Sequence, residues 1–173
     1  MAQHVTPPDW YGTGMPKINR KENRTCIGID PGMNGGIACV WYGGVDCWPM
    51  PTTERDTWET ITPLTSPLPC IAVIEKVHAM PKQGVSSSFK FGKGYGFLRG
   101  CLIAAGIPFE EVTPQACQKA LEIPKKSKSE TKAQFKNRLK ALAQQWFPDQ
   151  LVTLKTADAL LIATYCFRKH GGK

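Results

Sequence analysis

Three acids stand where a folded chain seldom leaves a carboxylate without a task. Asp30 closes the apolar run "TCIGID" and is followed at once by "PGMNGG". Glu75 closes a second apolar run, "CIAVIE". Asp158 lies in the first turn of the otherwise apolar "ADALLIATYCF", with Leu161, Ile162 and Tyr165 as its i+3, i+4 and i+7 neighbours. That spacing turns Asp158 inward, and a helix N-terminus favours its charge. Each acid alone has a plainer reading. Asp30 could shape the turn with Pro31 and Gly32, Glu75 could pair with Lys76 or Lys90, and Asp158 could be an ordinary first-turn charge. Together they read differently. Carboxylates that converge in an apolar setting repel one another, and a hard divalent cation, Mg²⁺ or Mn²⁺, relieves that repulsion with oxygen ligands. Two such ions can activate water and stabilise the leaving oxygen of a phosphodiester.

The elements that would position these acids follow from pattern. Residues 25–50 hold short strands in "TCIGID", "GGIACVWYG" and "VDCWPMP", separated by glycine turns, which predicts an antiparallel meander. "RDTWETI" suggests a short helix and residues 70–76 a further buried strand. Residues 77–93 read as a loop, and "GYGFLRGCLIAAG" as a helix closed by Gly106. "IPFEEVTP" reads as a strand, and "PQACQKALEI" as a helix with proline at its start. Ser127 and Glu130 fit a capping box opening a helix that runs to about Trp146. In it Phe135, Leu139, Leu142 and Trp146 repeat at helical spacing, with Lys132, Lys136 and Lys140 on another face. Thr156 would cap the last helix, whose final turn is basic.

The 173 residues suffice for one α/β domain with a real core, expected over 25–170. No run of ~18 apolar residues suggests a membrane span. Residues 1–24 are polar, lack an apolar signal-peptide core and read as a flexible arm. The seven cysteines form no C-x-x-C pair and sit mostly in apolar strings, which suits free thiols in a reducing cytosol. The formal net charge is +8, and its excess is local. Lys119 to Lys140 hold eight Lys/Arg against two acids, a patch suited either to a polyanion or to plain solvation.

"IGIDPGMNGGIA", "AVIEKVHAM", "GYGFLRGCLIAAG" and "ADALLIA", in that order, resemble the RuvC-like Holliday-junction resolvases, and among them the phage and organellar branch. The resemblance covers roughly residues 25–168. It implies a ribonuclease H-like fold with a central mixed β-sheet flanked by helices. It also implies a homodimer that cuts two opposed strands of a four-way DNA junction with Mg²⁺, for which Mn²⁺ may substitute. Asp30 matches the family's first-strand aspartate, Glu75 its fourth-strand glutamate and Asp158 the aspartate of its last helix. Asp30 would then bridge both ions, with Glu75 and Asp158 each helping to hold one.

One position departs from the family. An Asp or His usually stands three residues before the last aspartate, and here that residue is Lys155. The segment after Glu75 matches the family's junction-probing loop and places His78, followed by Phe89 and Phe91, near the crossover, although His78 suits a plain surface histidine equally well and the phenylalanines suit a core better. Lys82, Lys90 and Lys93, with Lys125, Lys126 and Lys128 of the basic segment, are the expected phosphate contacts. The small residues of "GYGFLRGCLIAAG" make that helix the expected dimer surface, and a phage protein in the bacterial cytoplasm is the expected setting. Three competing readings stay open. One is a catalytically weakened or inactive binder of branched DNA, prompted by Lys155. Another is a ribonuclease H acting on RNA–DNA hybrids. The last is an actin-like or sugar-kinase ATPase, for whose two lobes the chain is short.

Overall fold

A computed structural model of the chain describes residues 24–65, 68–77 and 84–170. The first strand, β1 (Thr25–Asp30), turns back into β2 (Gly36–Trp41) and then β3 (Gly44–Pro49), both antiparallel. The expected meander is therefore present. On its other side β1 pairs in parallel with β4 (Cys70–Glu75), which pairs in parallel with β5 (Phe109–Val112). The sheet order is β3-β2-β1-β4-β5, so β1 lies at its centre. Helices cover both faces.

Strand alternation sorts the residues between those faces. Ile27, Ile29, Ile37, Cys39, Ala72 and Ile74 pack under α1 (Glu54–Ile61) and α2 (Val85–Ala104). Cys26, Ala38, Val40 and Val73 pack instead under α3 (Pro114–Ala120), α4 (Lys132–Trp146) and α5 (Ala157–His170). Asp30 shares the parity of Cys26 and Glu75 that of Val73. Both acids therefore belong to the α5 side.

The glycine at the middle of β1 sets how close α5 can come. A Cβ on Gly28 would lie 2.2 Å from the Ala163 backbone nitrogen and 2.3 Å from the Ala159 carbonyl oxygen. The helix backbone rests directly on the strand, and Ala159 and Ala163 are fully buried there. At its far end α5 is tied to β5, where Lys169 donates to Glu110 at 2.7 Å.

Two helix starts differ from the sequence reading, each for a local reason. Helix α2 starts at Val85 and so takes in most of the expected loop. Only Leu98, Cys101 and Leu102 of its residues are buried, so its first half carries no apolar stripe to betray a helix. It ends at Ala104 and is closed, as expected, by Gly106, whose φ is +68°. Helix α4 starts at Lys132, capped by Thr131 in a reciprocal box with Gln134. Glu130 serves otherwise: its carboxylate accepts from Arg138 at 2.9 and 3.1 Å and from the Ser127 amide at 3.3 Å. Helix α5 starts at Ala157, as expected, and in the turn before it the Thr153 hydroxyl accepts from the Thr156 amide at 3.3 Å. Thr156 reciprocates by accepting from the Thr153 amide at 2.9 Å, the part a third helical residue takes in a capping box. All seven cysteines are free. Among the described residues no helix is long and apolar enough to cross a membrane.

Candidate active site

The two strand-end acids lie at the same edge of the sheet, because β1 and β4 are parallel and in register to Ile29 and Ile74. The turn after Asp30 folds tightly past it. Gly32 has a φ of +107°, and a Cβ on Gly35 would lie 2.0 Å from the Asp30 carbonyl oxygen. Asp158 reaches the same place from the first turn of α5, with 13% of its side chain exposed. Beside Glu75 and Asp158 lies a cavity of about 20 Å³ walled by Val112, Cys117, Leu139 and Leu161. The surroundings are thus largely apolar.

Charge in such a place is poorly solvated, and the acids respond. Burial, and then the Asp158 charge, push the Asp30 carboxyl up to about 7, with Lys136 opposing. Burial, then Asp30 and Asp158, push Glu75 up to about 7 as well, again against Lys136. The Cys117 thiol at the cavity wall is pushed up to about 12 by burial, with Glu75 and Asp158 adding to it. The three acids therefore form one electrostatic cluster.

Lys136 of α4 is the group that the sequence reading assigned elsewhere. It was expected on an outer face with Lys132 and Lys140; instead its ammonium donates to Asp158 Oδ2. Burial draws its pKa down, but Asp158, Asp30 and Glu75 outweigh that and raise it. The available signal was its place three residues before the buried Leu139, on the edge of the apolar stripe. Lys155, in contrast, is exposed in the turn before α5. Its backbone carbonyl lies 2.7 Å from where a Gly36 Cβ would be.

Among the described residues no three acids, histidines or cysteines are grouped so as to hold a metal ion, and Asp158 Oδ2 accepts from Lys136. The donors nevertheless suit a divalent cation. They are hard oxygens, and burial first, then neighbouring acid charge, raises two of the carboxyls to about 7, whose charged form a cation would stabilise.

The expected DNA-contacting residues fall in three places. His78 and Lys82 lie outside the described residues. Lys90 is exposed on α2, on the wall of a groove of about 420 Å³ that also includes Gly32, Met33 and Phe91. Lys93 is exposed too, but pairs with Glu54 at 3.0 Å. Lys125, Lys126 and Lys128 are exposed in the loop between α3 and α4. Phe89 is not core: it is 74% exposed. Phe91 packs toward the Asp30 turn, its ring 3.1 Å from where a Gly32 Cβ would be.

A mixed five-stranded sheet with helices on both faces and acids at one sheet edge is a ribonuclease H-like arrangement. Among solved structures the chain is similar to Thermus thermophilus RuvC in complex with Holliday junction substrate. The TM-score is 0.55 at 16% identity, covering 86% of this chain and 98% of that one. It is similar also to the Thermus thermophilus RuvC structure, with a TM-score of 0.52 at 16% identity and the same coverage. No protein-family model matches the sequence, and no curated protein does. The fold is RuvC-like.

Proposed function

We propose that this protein is a metal-dependent endonuclease that resolves four-way DNA junctions by paired nicks. The observation that carries the reading is the meeting of Asp30, Glu75 and Asp158 at one sheet edge, on a fold like that of RuvC. As the family resemblance implies, Asp30 would face both metal ions, and Glu75 and Asp158 would each help hold one. Mg²⁺ or Mn²⁺ bound there supplies an activated water and a counter-charge for the leaving oxygen. Lys90, Lys93, Lys125, Lys126 and Lys128 would grip the DNA backbone.

Two symmetric cuts call for two copies of the site, which points to a homodimer. Helix α2 is the surface we assign to it. Gly92, Gly96 and Gly100 recur every fourth residue on that helix, and a Cβ on any of them would meet nothing within 4 Å. The resemblance to the phage and organellar branch, and a bacterial-cytoplasm setting, rest on the sequence motifs alone.

The test is a labelled synthetic four-way junction with Mg²⁺ or Mn²⁺. The wild type should give paired symmetric nicks, and Asp30→Asn should lower their rate by roughly 10³-fold or more. Tight junction binding without nicking in either ion would overturn the enzyme reading. It would favour the inactive binder, for which the Lys136–Asp158 contact is the supporting observation. An RNA–DNA hybrid in the same panel distinguishes a ribonuclease H.

A further inference from the structure

The carboxylate cluster already contains one positive charge of the chain's own. Lys136 crosses from α4 to α5 and holds Asp158 Oδ2, with 43% of its side chain exposed against 13% for Asp158. With all three carboxylates ionised, one ammonium leaves two negative charges, which a single divalent cation would balance. A second divalent cation would make the site net positive beside a surface that is itself basic. It would also compete with Lys136 for the Asp158 carboxylate.

The Lys136 backbone is fixed. Leu139, Ala143 and Trp146 of the same helix are buried in the core that α5 shares. The ammonium can leave Asp158 only by swinging its own flexible stem, and its partial exposure gives that stem somewhere to go. The opposite case is Arg138, two residues on. Its guanidinium is bound to Glu130 and to the carbonyls of Pro124 and Lys125, at 3.1 and 3.4 Å for the latter two. One basic side chain of α4 is locked into a loop, and the other is a movable charge inside the acid cluster.

We propose that Lys136 is a resident cation that sets how many metal ions the free protein takes: one divalent cation at Asp30 and Glu75, with Asp158 open to a second only when Lys136 swings away. This rests on the reading of the cluster as a metal centre. Lys136 thereby keeps the cluster near balance before DNA arrives and makes loading of the second ion a separate event.

The test is Mn²⁺ titration of the full chain without DNA, followed by calorimetry and by the electron-paramagnetic signal of free Mn²⁺. Wild type and Lys136→Arg should each bind one ion. Lys136→Gln should bind two, the first about tenfold or more tighter, because a like charge has left the site. Its melting temperature without metal should fall and recover with Mn²⁺. If Lys136→Gln does not fold, Lys136→Met is read in its place. Lys136→Gln binding one ion at wild-type affinity, or wild type binding two, would overturn the inference while leaving the metal centre intact. Asp30→Asn marks the other failure. It should abolish Mn²⁺ binding, and if no variant, wild type included, binds Mn²⁺, the metal-centre reading falls and the inference with it.

Discussion

Glycine means opposite things on the two faces of this sheet. Gly28 faces α5, where a Cβ would strike backbone at 2.2 Å. Gly92, Gly96 and Gly100 of α2 face open space. The first glycine exists because something is already there. The others leave a smooth surface on a helix whose Val85, Phe89 and Ile103 are 87, 74 and 68% exposed. A strand glycine under a helix is a packing requirement; a row of exposed helix glycines weakens the helix for no internal gain. The α5 face is packed against the sheet, and the α2 face leaves apolar side chains and glycines exposed.

The contrast can be broken most sharply at Gly28. Gly28→Ala should cost at least about 3 kcal/mol, since α5 backbone rather than a side-chain tip must move. Its Ala159 and Ala163 contacts also seat Asp158, so any folded remainder should nick junctions poorly. Urea unfolding and the junction assay check the two parts. A mild effect would mean that α5 is less firmly seated than described.

The charge balance of the α5 side gives the next largest effect. Asp30 and Glu75 have folded pKa values raised from 3.8 and 4.5 to about 7. The metal-free folded chain then binds more protons than the unfolded chain between about 4 and 7. Stability should therefore fall as pH rises through that window, by several degrees in melting temperature. Asp30→Asn should flatten part of the fall, and Mn²⁺ near pH 7 should offset it. A melting temperature that rises across the window would contradict the burial of these acids.

Glu122 supplies a smaller effect. It is the non-glycine residue with positive φ among those described, at 58°, where α3 ends. Glu122→Gly should stabilise the chain by about 1 kcal/mol, read by denaturant midpoint. Gly96→Ala is the subtlest and the most informative about α2. It should stabilise the monomer by about 0.5–1 kcal/mol. If α2 is the dimer surface it should also weaken self-association, measured by light scattering. A monomeric wild type would remove that role from α2.

The strands and the acids at their ends were legible because a buried strand writes itself as an apolar run, and a carboxylate closing it is conspicuous. Asp158 was legible from its helical neighbours. The first half of α2 was not, since a helix lying on the surface with serines and glycines has no stripe to read. The cap of α4 was misplaced by four residues, because several serines and threonines near that end could serve and only the packed chain chooses. Lys136 was hidden for a related reason. A lysine beside an apolar stripe looks solvated until the partner helix supplies an acid. Lys155, conspicuous by its place in the motif, is exposed.

Arg138 has a consequence for how the basic loop would meet a polyanion. By tying Glu130 and the Pro124 and Lys125 carbonyls to α4, it holds the segment bearing Lys125, Lys126 and Lys128 in one shape before any partner arrives. Little conformational entropy then remains to be lost on association. Loosening the brace with Arg138→Gln would leave those three lysines in place, and the reduced affinity would come from the disorder they regain.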